Sequence, residues 1–255
     1  MIDLHSHILA GFDDGAQTLE NSIAMAEMAL ADGVRRIVAT PHSIGWDVPH
    51  DRATVFEKVA QLQRELAARG IGVEILPGIE AHILPDMVRQ LDEEQVFTLN
   101  GTRYMLIELP LSSYPLYTEQ VIFELQIKGI MVILTHPERN AVIQQDINLL
   151  FTLVERGVLA QVTAASLEGV FGAMVQRVAE TMLTHNLVHV IASDAHSLSR
   201  RSPVLSRGVA AAAKAIGRER AEAMVTTIPA QILRDEDIDF EPPQRYRPKR
   251  RWFWT

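Results

Sequence analysis

Seven short apolar runs alternate with longer segments of helical spacing, and this alternation constrains the fold more than any other feature of the chain. The runs have the length and the nearly continuous apolar character of buried strands in a parallel sheet. They are MIDLHSH, RRIVATPH, VEILPGIE, YMLIELP, IMVILTHPER, LAQVTAAS and VHVIASDAH. Strands and helices in this order predict an α/β fold with helices outside a parallel sheet, either closed as a barrel or open and doubly wound.

Helical spacing is clearest in TLENSIAMAEMALADG, which follows the first run. Thr18 has the side chain of a helix N-cap, and Gly33 suits the residue that ends a helix. The apolar stripe between them consists of Leu19, Ile23, Ala26 and Leu30. Further helices are predicted to begin near Asp51, Pro85, Tyr117, Asp146, Val170 and Pro203.

Polar side chains cluster where the runs stop. Six of the seven runs end in a histidine or a carboxylate, and only LAQVTAAS ends in small polar residues. In a closed parallel barrel the carboxyl ends of all strands meet at one mouth. In an open sheet the two edges lie too far apart to share a site. The shared placement therefore favours a barrel of about seven strands.

The strand ends and the DDG turn after the first run supply a set of candidate metal ligands. His5 and His7 fall on the same side of the first strand, where a core would use valine or isoleucine. The full set is His5, His7, Asp14, His42, Glu80, Glu108, His136, Asp194 and His196. Five imidazoles and four carboxylates can hold two or three divalent metals, and Glu80 is the candidate to bridge two of them. His50, His82, His185 and His189 lie off these ends and are interpreted as ordinary histidines.

The chain has no cysteine, so thiolate ligands and a cysteine nucleophile are excluded. Nitrogen and oxygen ligands suit manganese, iron, zinc or cobalt and do not suit copper(I) or an iron–sulfur cluster. Metal coordination lowers the pKa of water toward about 7, which is the requirement of a hydrolase. A strand-end lysine, as many zinc amidohydrolases need, a phosphate-binding Walker loop and a GxSxG elbow are all missing from the sequence.

Arginines beside two of the candidate ligands bear on the substrate. Arg139 follows His136 by three residues, and Arg200 and Arg201 follow His196. A guanidinium fork at this mouth would bind phosphate oxygens and favour a phosphoester over an amide or a sugar. The alternative is that these are surface arginines of strand-to-helix loops.

Composition bounds the remaining classes. With 255 residues, 47% hydrophobic and 22% charged, the chain suits one domain, predicted over residues 1–240, followed by a basic and aromatic tail over 241–255. The formal charge of -8 argues against a nucleic-acid-binding protein. No run approaches the roughly 20 apolar residues of a membrane span, and the first residues form a strand instead of a signal peptide. We therefore expect a cytoplasmic protein.

The motifs HSH, DDG, TPH, PGIE, LIELP, THPERN and ASDAH, in this order, resemble the polymerase-and-histidinol-phosphatase (PHP) metallohydrolase superfamily. Within it, the chain is similar to the manganese-dependent bacterial tyrosine phosphatases of capsule and exopolysaccharide operons, essentially from Met1 to the tail. The resemblance implies a distorted (β/α)7 barrel, the PHP domain, with a trinuclear site at the C-terminal ends of the strands. It favours manganese among the metals that the ligand types allow.

The resemblance also implies how the ligands are divided and which arginines act. It implies one metal held by His5, His7, Glu80 and Asp194, a second held by Glu80, Glu108 and His136, and a third held by Asp14, His42 and His196. The phosphate-binding arginines of the family fall on Arg139 and Arg201. Some relatives have a second histidine directly after TPH, where this chain has Ser43.

The implied function is hydrolysis of phosphotyrosine, with a phosphorylated bacterial tyrosine kinase as substrate and partner. Two alternatives stay open: a PHP phosphoesterase for another substrate, such as histidinol phosphate or a nucleic-acid end, and a non-catalytic scaffold that binds a phosphorylated kinase. Trp46 is either a phosphotyrosine platform or a packing residue. The tail is either solvated or in contact with an anionic membrane at its inner face. The residues of that contact would be Arg245, Arg247, Lys249, Arg250, Arg251, Trp252, Phe253 and Trp254.

Overall fold

The structure is a computed structural model that describes residues 1–44 and 51–248. Trp46, His50 and the last seven residues lie outside this range, so the predictions made for them stay predictions. Each of the seven predicted runs contains at least one strand. The strands are β1 (Ile2–Ser6), β2 (Arg36–Ala39), β3 (Glu74–Pro77), β4 (Glu80–His82), β5 (Tyr104–Glu108), β6 (Met131–Thr135), β7 (Leu159–Thr163) and β8 (Val190–Ala192).

All strand pairs are parallel, but the strands form two sheets instead of one seven-stranded sheet. The first sheet has the order β1-β2-β3 and the second has the order β4-β5-β6-β7-β8. The run VEILPGIE, predicted as one strand, is divided into β3 and β4 around Gly78. A Cβ at Gly78 would lie 2.7 Å from Val38 Cγ1 and 2.9 Å from Leu99 Cδ2, so the chain passes closely between neighbours there. The strand is interrupted at this close passage. The hydrogen bonding of the described residues therefore shows two sheets and does not show a closed seven-stranded barrel.

Short contacts join the edges of the two sheets. Asp194 donates its backbone N–H to the His5 carbonyl at 2.9 Å, which places the chain after β8 beside β1. On the other side, Glu80 donates its backbone N–H to the Pro41 carbonyl at 3.0 Å. Isolated parallel bridges at Ser6–Ala195 and His42–Glu80 mark the same two seams. The carboxyl ends of both sheets therefore meet.

A bulge in β1 changes its alternation of faces. Between the paired positions Asp3–Ile37 and Ser6–Ala39, β1 has one residue more than β2. Leu4 packs in a small buried cluster that includes Leu159 of β7. The ring of His5, although it is the next residue, contacts Gln161 on the same face of β7. The bulge thus lets consecutive residues of β1 face the same side.

Helices cover the outside of the sheets, and the larger buried cluster lies between the two layers. Thr18 accepts a hydrogen bond from the backbone of Asn21, as predicted for an N-cap, and Asp51 caps the next helix through Thr54. The other predicted helix starts lie within three residues of those observed. The helices are α1 (Leu19–Ala31), α2 (Arg52–Ala68), α3 (Met87–Asp92), α4 (Thr118–Ile127), α5 (Ala141–Gln145), α6 (Asn148–Glu155), α7 (Ala164–Leu167), α8 (Ala173–Thr184), α9 (Ser206–Ile216), α10 (Arg218–Ala223) and α11 (Thr227–Leu233).

Beyond residue 240 the chain stays in contact with the helical layer. Gln244 donates its backbone N–H to the His185 carbonyl at 2.8 Å, and Tyr246 donates to Asn148 Oδ1 at 3.0 Å. The division into a domain over 1–240 and a tail over 241–255 stays a prediction. Among the helices of the described residues, none has the length and apolar character needed to cross a bilayer.

Candidate metal centre

The structure brings all nine candidate ligands together at the joined carboxyl ends of the strands. His5 and His7 lie at the centre of this group of ligands, and their Nε2 atoms are 3.2 Å apart. The other nitrogen of each ring is held from behind: His5 Nδ1 contacts Gln161 Oε1 at 3.0 Å, and His7 Nδ1 contacts Asp13 Oδ2 at 2.7 Å. Because each Nδ1 bears the proton of its hydrogen bond, both Nε2 lone pairs point into the same space. Two lone pairs so close together call for a cation between them.

One donor group surrounds that space. Glu80 Oε2 lies 3.2 Å from His5 Nε2 and 3.4 Å from His7 Nε2. Asp194 Oδ1 lies 3.5 Å and 3.4 Å from the same two nitrogens. Four ligand atoms held at about 2.1 Å from one tetrahedral ion would be about 3.4 Å apart. Ligand atoms of His5, His7 and Glu80 all lie within 4.8 Å of one another, so these three residues have the spacing of a coordination shell, and Asp194 lies beside the two histidines.

Glu80 presents its second oxygen to a second donor group. Glu80 Oε1 lies 3.0 Å from His136 Nε2 and accepts a hydrogen bond from Thr135 Oγ1 at 2.7 Å. Glu108 Oε1 lies 3.5 Å from the same His136 nitrogen, and His42 Nδ1 lies 3.1 Å from Glu80 Oε2. Burial alone would raise the pKa of Glu80, but the facing imidazoles, His5 first, hold it well below its ordinary value. Glu80 is therefore an anion with one oxygen on each side.

A third donor group lies at the edge of the mouth. Asp14 Oδ1 lies 3.1 Å from His196 Nε2 and 3.6 Å from His42 Nε2. The Nδ1 atom of His196 is hydrogen-bonded to the backbone carbonyl of Asp194 at 2.9 Å, so its Nε2 faces Asp14. Burial, reinforced by the nearby His7, lowers the pKa of His196 to about 4. His42 thus has one nitrogen toward Glu80 and the other toward Asp14.

Unsatisfied polar atoms test whether a metal fits. Glu80 Oε2 and His196 Nε2 are buried and make no hydrogen bond within the described residues, although donors or acceptors lie close to both. Buried polar atoms are rarely left unpaired in a folded protein. Divalent cations would satisfy them, and the donors are the imidazoles and carboxylates that such ions bind. The residues present therefore fit a metal centre.

Two arginines meet at the same carboxylate. Arg139 donates to Asp194 Oδ2 at 2.7 Å, and Arg201 donates to both oxygens of Asp194 at 2.8 Å. Burial would raise the pKa of Asp194, but its neighbours His5, His7 and Arg201 keep it well below its usual range. Arg200 instead donates to the Val170 carbonyl at 3.1 Å.

Two of the candidate ligands have unusual backbones. His136 and Asp194 have φ angles of 33° and 50°, in the left-handed region that residues other than glycine seldom adopt. Such strain is concentrated at functional sites. In this protein, His136 directly follows β6 and Asp194 follows β8 by two residues, and both side chains face the mouth.

Comparison with known proteins identifies the family. The model of the family described as capsular polysaccharide synthesis, CpsB/CapC, matches residues 1–234. The chain belongs to the CpsB/CapC family. The resemblance deduced from the motifs is thereby confirmed.

Named relatives of this CpsB/CapC family member are tyrosine phosphatases. The tyrosine-protein phosphatase YwqE of Bacillus subtilis is 38% identical over 244 residues, covering 96% of each chain. The putative tyrosine-protein phosphatase CapC of Staphylococcus aureus is 37% identical over 207 residues, covering 81% of each. Crystal structures of YwqE and of CpsB from Streptococcus pneumoniae are described as unique metal-dependent tyrosine phosphatases; the match has a TM-score of 0.94 and 36% identity, covering 97% of this chain and 100% of that one.

More distant structures share the fold alone. The phosphotriesterase of Mycobacterium tuberculosis superposes with a TM-score of 0.56 at 12% identity, covering 96% of this chain and 95% of that one. Its likeness supports a mixed α/β architecture with parallel strands and carries no functional argument.

Sequence reasoning missed several contributors to the centre of this CpsB/CapC family member. His82 was interpreted as ordinary, but its Nδ1 lies 3.5 Å from Glu108 Oε2. Its position two residues after Glu80 on β4 was an available signal, because alternate residues of a strand share a face. Phe171, in the turn before α8, has its ring 4.7 Å from the Arg139 guanidinium, and nothing in its local sequence indicates that contact.

His189, by contrast, is a buried histidine away from the candidate ligands' hydrogen bonds: its Nδ1 accepts the Ala160 N–H, and burial lowers its pKa to about 3.

Asp13 was missed because the sequence analysis selected its neighbour in the DDG turn. Besides holding His7, Asp13 accepts backbone hydrogen bonds from Gly15 at 2.9 Å and His42 at 3.0 Å. A Cβ at Gly15 would lie 2.1 Å from the His7 carbonyl oxygen, so this turn requires glycine. The turn thus directs the two aspartates to different tasks.

Replacing Asp13 with asparagine is expected to weaken metal binding by about 10- to 100-fold, because His7 Nδ1 loses its anionic partner. The measurement is a manganese titration of the stripped protein by calorimetry. Asp32→Asn is the control, since Asp32 bonds the residues at the start of α9 instead of a candidate ligand and should leave the affinity unchanged. Equal affinities for wild type and Asp13→Asn would contradict the positioning role of Asp13.

Proposed function

We propose that this chain is a metal-dependent protein-tyrosine phosphatase that acts in capsular or exopolysaccharide synthesis. One observation carries the proposal: two arginines meet at Asp194, a carboxylate that also faces the central histidine pair. Phosphate oxygens bound by these arginines would lie beside bound cations. The family membership and the relatives named tyrosine-protein phosphatases agree with this chemistry.

The centre would hold two or three divalent metals, with manganese favoured. The first would be bound by His5, His7, Glu80 and Asp194, and the second by Glu80, Glu108 and His136. Asp14, His42 and His196 would bind the third. The two joined sheets would act as the distorted (β/α)7 barrel of the PHP fold, with the division at Gly78 as its distortion.

Divalent cations in such a site neutralise phosphate charge and lower the pKa of water toward about 7. The chain's own residues would bind and orient the phosphate. Arg139 and Arg201 would bind the equatorial phosphate oxygens as the charge on them changes. The backbone that bears Arg139 is held by Glu138, whose buried Oε1 accepts from the Thr163 N–H at 3.0 Å and from Ser166 Oγ at 2.6 Å. Tyrosine leaves as a phenolate with a pKa near 10, so its departure needs little help from an acid.

The proposed partner is a phosphorylated bacterial tyrosine kinase, whose phosphotyrosine is the substrate. The proposed peripheral contact with an anionic membrane through the tail would place the phosphatase beside such a kinase. Residues 249–255 of that tail lie outside the described range.

The deciding experiment compares phosphate release from a phosphotyrosine peptide and from histidinol phosphate. The protein is stripped of metal and manganese is added back, with His136→Ala as the inactive control. We expect fast, manganese-dependent release from the peptide, which survives thiol alkylation because the chain has no cysteine. Preferential release from histidinol phosphate would overturn the tyrosine phosphatase function, and binding of phosphopeptide without release would favour a scaffold.

A further inference from the structure

Large apolar side chains exposed to solvent are unevenly distributed over the described residues. Eight are exposed, and four of them lie on loops that directly follow candidate ligands. We call these four the apolar rim: Ile44, Leu111, Leu116 and Leu198. We propose that the apolar rim binds apolar side chains that flank the phosphotyrosine of a polypeptide substrate. This inference rests on the proposed phosphatase function.

The chain itself keeps three members of the rim near the metal centre. Ile44 follows His42 by two residues, Leu198 follows His196 by two, and Leu111 follows Glu108 by three. At 3.8 Å between consecutive Cα atoms, their backbones lie within about 8 to 11 Å of a candidate ligand. In an extended peptide, residues one to three positions from the phosphotyrosine lie about 3 to 10 Å away from it. The two distances match.

Hydrogen bonds to the backbone hold the two loops that bear Leu111 and Leu198, so these side chains are presented outward by fixed segments. Asn140, the residue after Arg139, donates from Nδ2 to the carbonyls of Pro110 and Ser113, both at 2.8 Å. Ala141 donates its backbone N–H to the Leu111 carbonyl at 2.7 Å. The loop with Leu198 is closed by the backbone N–H groups of His196 and Ser197, which donate to the Arg201 carbonyl. A preformed surface loses little conformational entropy on binding.

Charge and exposure indicate the chemistry of the partner. The loop over residues 109–117 has no charged residue, and the residues Ile44, Leu111 and Leu198 keep 41%, 42% and 40% of their surface exposed. Single exposed apolar residues are common, but several around one site mark a contact surface. A small phosphomonoester would leave this surface in water. Apolar residues on both sides of a phosphotyrosine would cover it.

The test uses two phosphotyrosine peptides that differ only in their flanks, leucine in one and serine in the other. With the manganese-loaded protein, we expect kcat/KM to be at least about tenfold higher for the leucine peptide. In the Leu111→Ser/Leu198→Ser variant, that ratio should fall to near one. Ile127→Ser is the matched control, because Ile127 is also an exposed apolar residue but ends α4, just before the amino end of β6. It should keep the wild-type ratio.

Several outcomes would overturn the proposal. A ratio near one in the wild type, or a ratio unchanged in the double variant, means that the rim does not bind the flanks. A shift from dimer to monomer in the variant with an unchanged ratio would assign the rim to a second copy of the chain. If the double variant has a lowered Tm, the single variants Ile44→Ser and Leu116→Ser provide the same ratio. Release from neither peptide would instead refute the proposed function itself.

Discussion

Replacing Glu80 with glutamine is expected to lower kcat/KM for a phosphotyrosine peptide by about a thousandfold, with the fold retained. The side chain of Glu80 has one oxygen beside His136 and the other beside His5 and His42. Glutamine keeps the shape but replaces one oxygen with an NH2 group and removes the charge. Losing about 4 kcal/mol of charge stabilisation in the transition state corresponds to this factor.

Glu74→Gln is the control for Glu80→Gln. Glu74 begins the neighbouring strand β3, and its side chain forms a half-exposed ion pair with Arg36 at 2.8 Å. Exposed pairs of this kind contribute about 0 to 1 kcal/mol to stability, so activity should be unchanged. Activity is measured as phosphate release with manganese at saturation, and metal content is measured by mass spectrometry. An active Glu80→Gln protein with full metal content would refute the bridging role.

Replacing Arg201 with alanine is expected to reduce kcat/KM by about a hundred- to a thousandfold, while the same change at Arg200 changes it less than about threefold. Arg201 faces Asp194 and would bind phosphate, so its loss removes donors aimed at developing charge. Arg200 has the same charge one residue earlier, but it donates to the backbone carbonyl of Val170 instead of to Asp194. Comparing the two variants therefore separates the effect of the arginine's position from the effect of its charge.

Inhibition by inorganic phosphate gives the second readout for the arginine pair. We expect the inhibition constant to rise in Arg201→Ala and to stay constant in Arg200→Ala. Tm measured for both variants shows whether either change disturbs the fold. Similar losses in the two variants would mean that long-range charge, and not the geometry at Asp194, attracts the phosphate.

Local patterns predicted the elements of the fold well, because the apolar residues of each strand and helix recur with the period of that element. The N-cap at Thr18 and the seven strand-bearing runs are examples. The division of VEILPGIE into β3 and β4 was not predictable in this way. It depends on how closely Gly78 approaches Val38 and Leu99, which are far away in sequence. Over the described part of the chain, the hydrogen bonding therefore does not show the expected closed barrel, although the strand ends still converge.

For the metal centre, the sequence by itself determined the ligand types, since a histidine or carboxylate that ends a parallel strand must lie at the common mouth. Only the tertiary structure decided the orientation of each ring and the task of each neighbour. Asp13 and Asp14 are the same residue type in one turn, yet one holds His7 and the other faces His196. Gln161 reaches His5 across 156 positions of sequence. Such choices are made by hydrogen bonds between distant segments, and local residue patterns contain no information about them.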